Sequence, residues 1–430
     1  MILAGGEIFP SSEQNKILGT LEEKINRTLS AERLNMKTVV SAADKLGKMI
    51  SNGDFDSIIK RLSGEDLGEY VKTAAMLMKR ENIEYRISVE LGADFKERYD
   101  VTPPYGVTGA EVRFAPLGTL FHIAAGNVDG LPAFSVLEGL LTGNINILKL
   151  PEADNGLSVE IFRQLINIEP ALKNFICVFD TPSSDVSAMK KMAEISDGIV
   201  VWGGDSAVRA VRALAPAGAK IIEWGHKLGF AYVSGYEDKT AELTALANHI
   251  ISTRQLFCSS CQTIFVNTDD AGVLEQFCTD FLPFLEKAAE QYPISEIGVS
   301  AEMTLRKYNS LLENAIGAGN GKSKIFHGKG CSLTILPDSG LELSYMYGNC
   351  LVKPLPERKI LPVLRNSKGY LQTAGLICNK ENRSRLTEIL IRSGVNRVMR
   401  AGNMSVSFCG EAHDGEYPLR RYLRVVNIEK

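Results

Sequence analysis

The chain lacks most of what would place it in a special class. No run approaches the roughly 18 apolar residues of a membrane-spanning helix. Neither sign of charge dominates: 48 Lys and Arg face 51 Asp and Glu, for a formal net charge of −3. That balance argues against a protein held to nucleic acid by electrostatics. The start of the chain, Met1 to Glu7, has no basic segment of the kind that opens a secretory signal. The expectation is therefore a cytoplasmic protein. Internal repeats and low-complexity segments are also missing.

Cysteine is present but sparse. The eight residues at 177, 258, 261, 278, 331, 350, 378 and 409 are scattered through 430 positions, unlike a disulfide framework. Cys258 and Cys261 form one C-x-x-C, with no second pair or histidine pair at ligand spacing. No metal site is expected, and a redox dithiol is the alternative use of that pair. The dinucleotide fingerprint G-x-G-x-x-G is absent. A P-loop is approached at Gly317–Ser323, but Ile316 stands where its first glycine belongs. The stretch before it, Leu311 to Ile316, reads as a helix end, so this segment is taken as a loop.

What is present is an ordinary globular composition, 45% hydrophobic and 23% charged, long enough for two or three domains. Residues 12–100 read as charged helices. Leu18, Leu21, Ile25 and Leu29 recur at spacings of three and four, as do Val71, Ala74, Ala75 and Met78. Asp100 to Gly109, with Pro103-Pro104 and two glycines, is a crossing segment. After it strands and helices alternate: Thr119 to Ala125, a helix to Leu141, Ile145 to Leu150, and so on through Phe230 to Val233. This is the pattern of a parallel α/β sheet. Further on, Leu361 to Leu364, Tyr370 to Cys378, Arg397 to Met399 and Tyr422 to Ile428 read as strands. The expected division is a helical region over 1–110, a cofactor domain over 111–250 and a cysteine domain over 251–400. A tail over 401–430 would return to the cofactor domain or serve an oligomer interface.

Ligands of open α/β sheets gather at the carboxyl ends of strands. Those ends carry Asn127, then Lys149 and Glu152, then Gly203-Gly204-Asp205-Ser206 before a helix, a turn suited to phosphate. Cys258 stands in a small-residue turn, Cys258-Ser259-Ser260, just ahead of the apolar run Thr263 to Val266. A tight turn with a rigid element behind it is the setting a nucleophile needs. The competing use is a buried structural thiol.

From Pro116 to Glu152 the chain resembles the aldehyde dehydrogenase superfamily. The likeness continues in order through Gly203–Ser206, Glu223-Trp224-Gly225 and Cys258. Phe121–Asn127, Cys258-Ser259-Ser260 with Gln262, and His413-Asp414-Gly415 resemble the LuxC-type acyl-CoA reductases within it. Cys261 departs from that pattern, where proline is expected. Glu357 belongs to an imperfect version of the cofactor-ribose motif.

The resemblance implies an aldehyde dehydrogenase-like fold, with a Rossmann-type cofactor domain and an α/β catalytic domain. It implies reduction of an acyl thioester to an aldehyde through a Cys258 acyl-enzyme, with Asn127 as oxyanion donor and Glu223 handling protons. Lys149, Glu152, Gly203, Gly204, Ser206 and Gly225 would serve the cofactor, NADPH first and NADH second. Lys149 suits an adenosine ribose or a 2′-phosphate, whereas Glu152 suits a ribose hydroxyl and would repel a 2′-phosphate. Aldehyde oxidation to an acid or acyl-CoA is the alternative, since the matching glutamate activates water in hydrolytic members. Ion pairing of Glu223 with Lys220 or Lys227 is its plain structural use, and His226 reads as structural. An acyl-activating synthetase partner and a homo-oligomer follow by the same analogy.

Overall fold

A computed structural model of the chain describes residues 1–63, 75–124, 130–293 and 323–430, with scattered positions between 298 and 312. Asn127, Val71, Ala74 and most of the 311–322 segment lie outside the described residues. The chain forms two compact units, Met1–Gly225 with Phe408–Lys430, and His226–Ser407.

The first unit is built on β1 (Ile2–Ala4), β2 (Glu7–Phe9), β3 (Arg98–Val101), β4 (Ala110–Pro116), β5 (Thr119–Ile123), β6 (Ile145–Lys149), β7 (Ile176–Phe179), β8 (Gly198–Trp202) and β9 (Lys220–Trp224). Its main sheet runs β2-β1-β7-β6-β5-β8-β9. The five strands from β7 to β9 are parallel. β6 and β7 are buried along their whole length, as central strands of a parallel sheet are, with Asn146 and Lys149 the polar residues of β6. β1 and β2 add an antiparallel hairpin at one edge, turned by Gly5 and Gly6 at φ 61° and 86°. Strands of three residues carry too little periodicity to be read in advance, so this hairpin is an addition to the expected helical N-terminal region.

Leu18, Leu21 and Ile25 of the helix Gln14–Ala31 are buried as their spacing predicts, while Leu29 is 46% exposed. The C-terminal strand Leu423–Glu429 pairs antiparallel with β4, Leu423 opposite Pro116 and Glu429 opposite Ala110.

The second unit holds β10 (Leu228–Ser234), β11 (Cys261–Val266), β12 (Lys324–Gly328), β13 (Cys331–Ile335), β14 (Asn349–Pro354), β15 (Leu371–Cys378) and β16 (Arg397–Arg400). Their order is β12-β13-β14-β11-β10-β15-β16, parallel except for β12. The expected boundary at residue 250 is displaced to Gly225/His226, because β10 is hydrogen-bonded between β11 and β15.

The expected strand at 361–364 is instead a short helix, Ile360–Leu364. Ile360 and Leu364, one helical turn apart, are fully buried, while Leu361 is 43% exposed. Four apolar residues in a row are ambiguous between the two periods, and burial on one side of a helix decides it.

Candidate active site

In the first unit β6 and β7 lie to one side of β5, and β8 and β9 to the other. The crevice between β5 and β8 is therefore the topological switch point, where open α/β sheets take their ligands at the carboxyl ends. β5 leads at that end into 125–129. Lys149 closes β6; its ammonium is buried and donates to Ser183 Oγ at 2.9 Å. Burial pulls the Lys149 pKa below the ordinary lysine value, against the upward pull of Glu152. Glu152 itself is exposed on the following turn.

After β8, Gly203 N–H donates to Trp224 O at 3.2 Å, tying the turn to the end of β9. A side chain at Gly203 would press a Cβ to 3.0 Å from Ala207 Cβ, whereas Gly204 faces open space within 4 Å. The helix Asp205–Leu214 begins at Gly204 with no side chain capping it. Ser206 is exposed in its first turn, and Gly225 is half-buried after β9. An uncapped helix start behind an open glycine suits a phosphate, and Lys149 adds a positive charge at the same carboxyl end of the sheet. The residues present thus fit a nicotinamide dinucleotide. His413 packs at the same edge, its ring 5.0 Å from Trp202 and 4.9 Å from Trp224.

Glu223 is paired differently from expectation. Both Glu223 oxygens accept from Arg212, Nε at 2.5 Å and Nη2 at 2.7 Å. Neither Lys220 nor Lys227 makes that contact: Lys220 Nζ donates to Arg421 O at 2.6 Å, and Lys227 Nζ to Gly369 O at 2.9 Å. His122, from the segment resembling the reductases, is core. It contacts Ser135 Oγ at 2.8 Å and Asn146 Oδ1 at 3.0 Å, and burial lowers its pKa to about 4.

In the second unit Cys258 stands on the loop between the helix Lys239–Ser252 and β11, at the amino end of the sheet. It is exposed; of the other seven cysteines, six are buried and Cys409 is intermediate, and all eight are free thiols. Arg254 and Gln255 hold left-handed backbone, φ 51° and 59°. Non-glycine residues persist there only when their surroundings enforce it, at a cost on the order of 1–3 kcal/mol each.

Gln255 supplies that enforcement. Its amide donates to Cys261 O at 2.8 Å and accepts from Gly348 N at 3.0 Å. Its backbone carbonyl accepts from Gln262 Nε2 at 2.8 Å. Ser260 N–H closes the turn on Phe257 O at 3.0 Å, and Cys261 N–H donates to His249 Nε2 at 3.3 Å. Burial lowers the His249 pKa to about 4, leaving that nitrogen an acceptor. The loop rests on Gly229 of β10, where a Cβ would sit 2.5 Å from Ser260 O.

Cys261 faces the core, its thiol 3.6 Å from Thr263 O and pushed by burial to about 12. That is a poor partner for a redox dithiol. Glu357 N–H donates to Asn267 Oδ1 at 2.8 Å, and its carboxylate pairs with Arg385. A cavity of about 560 Å³ opens beside the loop, lined by Ile251, Arg254, Tyr292, Lys329 and Tyr347 among others but not by Cys258. Among the described residues no cluster of His, Cys, Asp or Glu could hold a metal ion, and no helix is long and apolar enough to cross a membrane.

A family profile described as Acyl-CoA reductase (LuxC) matches residues 31–425, nearly the whole chain. The chain belongs to the acyl-CoA reductase (LuxC) family. It is 25% identical over 327 residues to "Long-chain acyl-protein thioester reductase 2" of Photobacterium leiognathi, covering 74% of this chain and 66% of that protein. To the long-chain acyl-protein thioester reductase of Photorhabdus luminescens it is 24% identical, covering 74% of this chain and 65% of the relative. The matches thus span just under two thirds of these curated relatives.

Among solved structures it is similar to lactaldehyde dehydrogenase from Escherichia coli, with TM-score 0.70, 15% identity and coverage of 98% and 92%. It is also similar to 3,6-anhydro-L-galactose dehydrogenase, with TM-score 0.72, 14% identity and coverage of 100% and 99%. The fold is therefore aldehyde dehydrogenase-like.

The first unit places Lys149, Glu152, Gly203, Gly204, Ser206, Glu223 and Gly225 at or after the carboxyl ends of β6, β8 and β9, and the second presents Cys258. Sequence reasoning missed Arg212 and Gln372, the latter donating through Nε2 to Cys258 Sγ at 3.3 Å. A glutamine inside the apolar run Leu371–Cys378 is the one signal that could have pointed to it.

Proposed function

We propose that the protein reduces an acyl thioester to the aldehyde with a nicotinamide cofactor, through an acyl-enzyme on Cys258. The observation that carries this reading is an exposed thiol on an enforced, strained loop, in a chain of this family. The Cys258 sulfur attacks the thioester carbonyl, and the donor thiol leaves as the carbonyl reforms. Both this step and the reductive one build charge on the carbonyl oxygen. Asn127 and the backbone N–H of Cys258 are assigned to it, a kind of donor worth about 10²–10³ in turnover. When bound, the nicotinamide supplies the hydride; Lys149 and the Gly203–Ser206 turn would hold its phosphates. The Lys149 ammonium favours NADPH, with NADH second.

The names of the relatives support a long-chain acyl group carried on a protein, and the family description supports a CoA ester. A cytoplasmic setting, an acyl-activating synthetase as donor partner and a homo-oligomer belong to the same proposal. Aldehyde oxidation is the second reading, resting on the fold and on Glu223 as a water-activating base. Two-point capture of Glu223 by Arg212 supports the reductase, which needs no such base.

The test is intact-protein mass spectrometry after incubation with acyl-CoAs of graded length, beside Cys258→Ser. An adduct on the native protein alone, discharged as aldehyde by NADPH or NADH, is the expected result. Absence of any adduct, with NAD-dependent turnover of free aldehydes, would favour the second reading.

A further inference from the structure

We propose that Gln372 is a second catalytic residue of the Cys258 site, its side-chain amide donating to the sulfur before attack and to the carbonyl oxygen after it. The inference rests on Cys258 being the nucleophile. Gln372 Nε2 lies 3.3 Å from Cys258 Sγ. The residue is 6% exposed, near the amino end of β15, a strand buried along its whole length. A primary amide in such a place is costly unless its hydrogen bonds are made. The Thr373 hydroxyl contacts Gln372 Oε1 at 3.4 Å, so the two ends of the amide face different groups.

The loop carrying Cys258 leaves the carboxyl end of the helix Lys239–Ser252, where the peptide dipoles favour cations. A thiolate there needs a donor from another element, and Gln372 supplies one from a strand that cannot swing. In the acylation step the sulfur's electron pair forms the S–C bond and the carbonyl π pair moves to oxygen. That pair then returns as the bond to the donor thiol breaks, so nothing is oxidised or reduced. The carbonyl oxygen of a thioester lies roughly 3 Å from its sulfur by ordinary bond geometry, within reach of the same N–H.

The experiment compares native protein with Gln372→Glu, which keeps shape but removes the donor, and with Gln372→Leu. The rate of iodoacetamide alkylation at Cys258, located by peptide mapping, should fall roughly ten- to hundredfold in both. The maximal rate of acyl-adduct formation should fall by about 10²-fold, with the half-saturating acyl-CoA concentration within about twofold of native. Far-UV circular dichroism and melting checks folding. Folded variants that alkylate as fast as native protein overturn the proposal, and so does failure of both variants to fold, which makes Gln372 a structural residue. Alkylation needs no acyl substrate. Slow alkylation in the variants, together with no adduct on the native protein, would keep Gln372 and sink the thioester reading instead.

Discussion

Each unit is organised on a seven-stranded, largely parallel sheet, yet the two are loaded at opposite strand ends. In the first, Lys149, Gly203–Ser206 and Glu223 collect at or just after the carboxyl ends of β6, β8 and β9. In the second, Cys258 and Gln372 stand at the amino ends of β11 and β15. The difference follows from what comes next along the chain. A strand's carboxyl end leads into a helix N-terminus, so backbone N–H groups for an anion come with the topology. An amino end is entered from a helix C-terminus, which offers only carbonyls. The Cys258 loop must therefore be stiffened by side chains, and Gln255 and Gln262 do so.

The comparison breaks first at Cys258. Cys258→Ser should lower thioester reduction by roughly 10³-fold or more while leaving cofactor binding to the first unit intact, measured by turnover beside nucleotide titration. A mutant that retains native turnover would remove the amino-end site altogether.

Acid should act on both units alike, because each buries a histidine. His122 and His249 fall from an ordinary 6.5 to about 4 on folding. The unfolded chain then binds more protons between those values, so stability is full above about pH 6.5 and is lost as pH falls toward 4. The loss is on the order of 3 kcal/mol per histidine, about two decades in the unfolding constant. Urea melts across this window check it. Both tryptophans of the chain, Trp202 and Trp224, lie in the first unit, so their fluorescence should follow that unit and circular dichroism both. His122→Asn should flatten the fluorescence-detected slope and His249→Asn should not.

Lys149→Ala sharpens the division of labour. Affinity for NADPH should drop roughly tenfold, while Cys258 acylates at the native rate, by fluorescence titration and adduct mass respectively. The smallest change is expected from Glu223→Gln. Thioester reduction should fall by less than about tenfold, well short of the 10²–10⁴ lost with a general base. A loss in that larger range, in initial-rate assays, would return Glu223 to the proton-handling role that the resemblance implies and reopen aldehyde oxidation.

Much of this was legible in the residues. The alternation of apolar runs with amphipathic stretches read as a parallel α/β sheet, and β6, β7, β11 and β15 fall on runs that no polar residue divides for long. The small-residue turn ahead of Thr263 to Val266 pointed to Cys258, which is exposed. Where periodicity was short or ambiguous the reading stopped, as at the β1–β2 hairpin and the helix Ile360–Leu364.

The sequence by itself determined most of the elements and the family, and it singled out Cys258 as the candidate nucleophile, because apolar period and turn chemistry are local properties. Only the tertiary structure decided partners. Gln372 meets Cys258 across 114 residues, and Arg212 rather than Lys220 or Lys227 takes Glu223. β10 joined the second unit because it is bonded between β11 and β15. Pairings of that kind are set by strand order and by which polar groups burial leaves to be satisfied, and neither is written into any short stretch of chain.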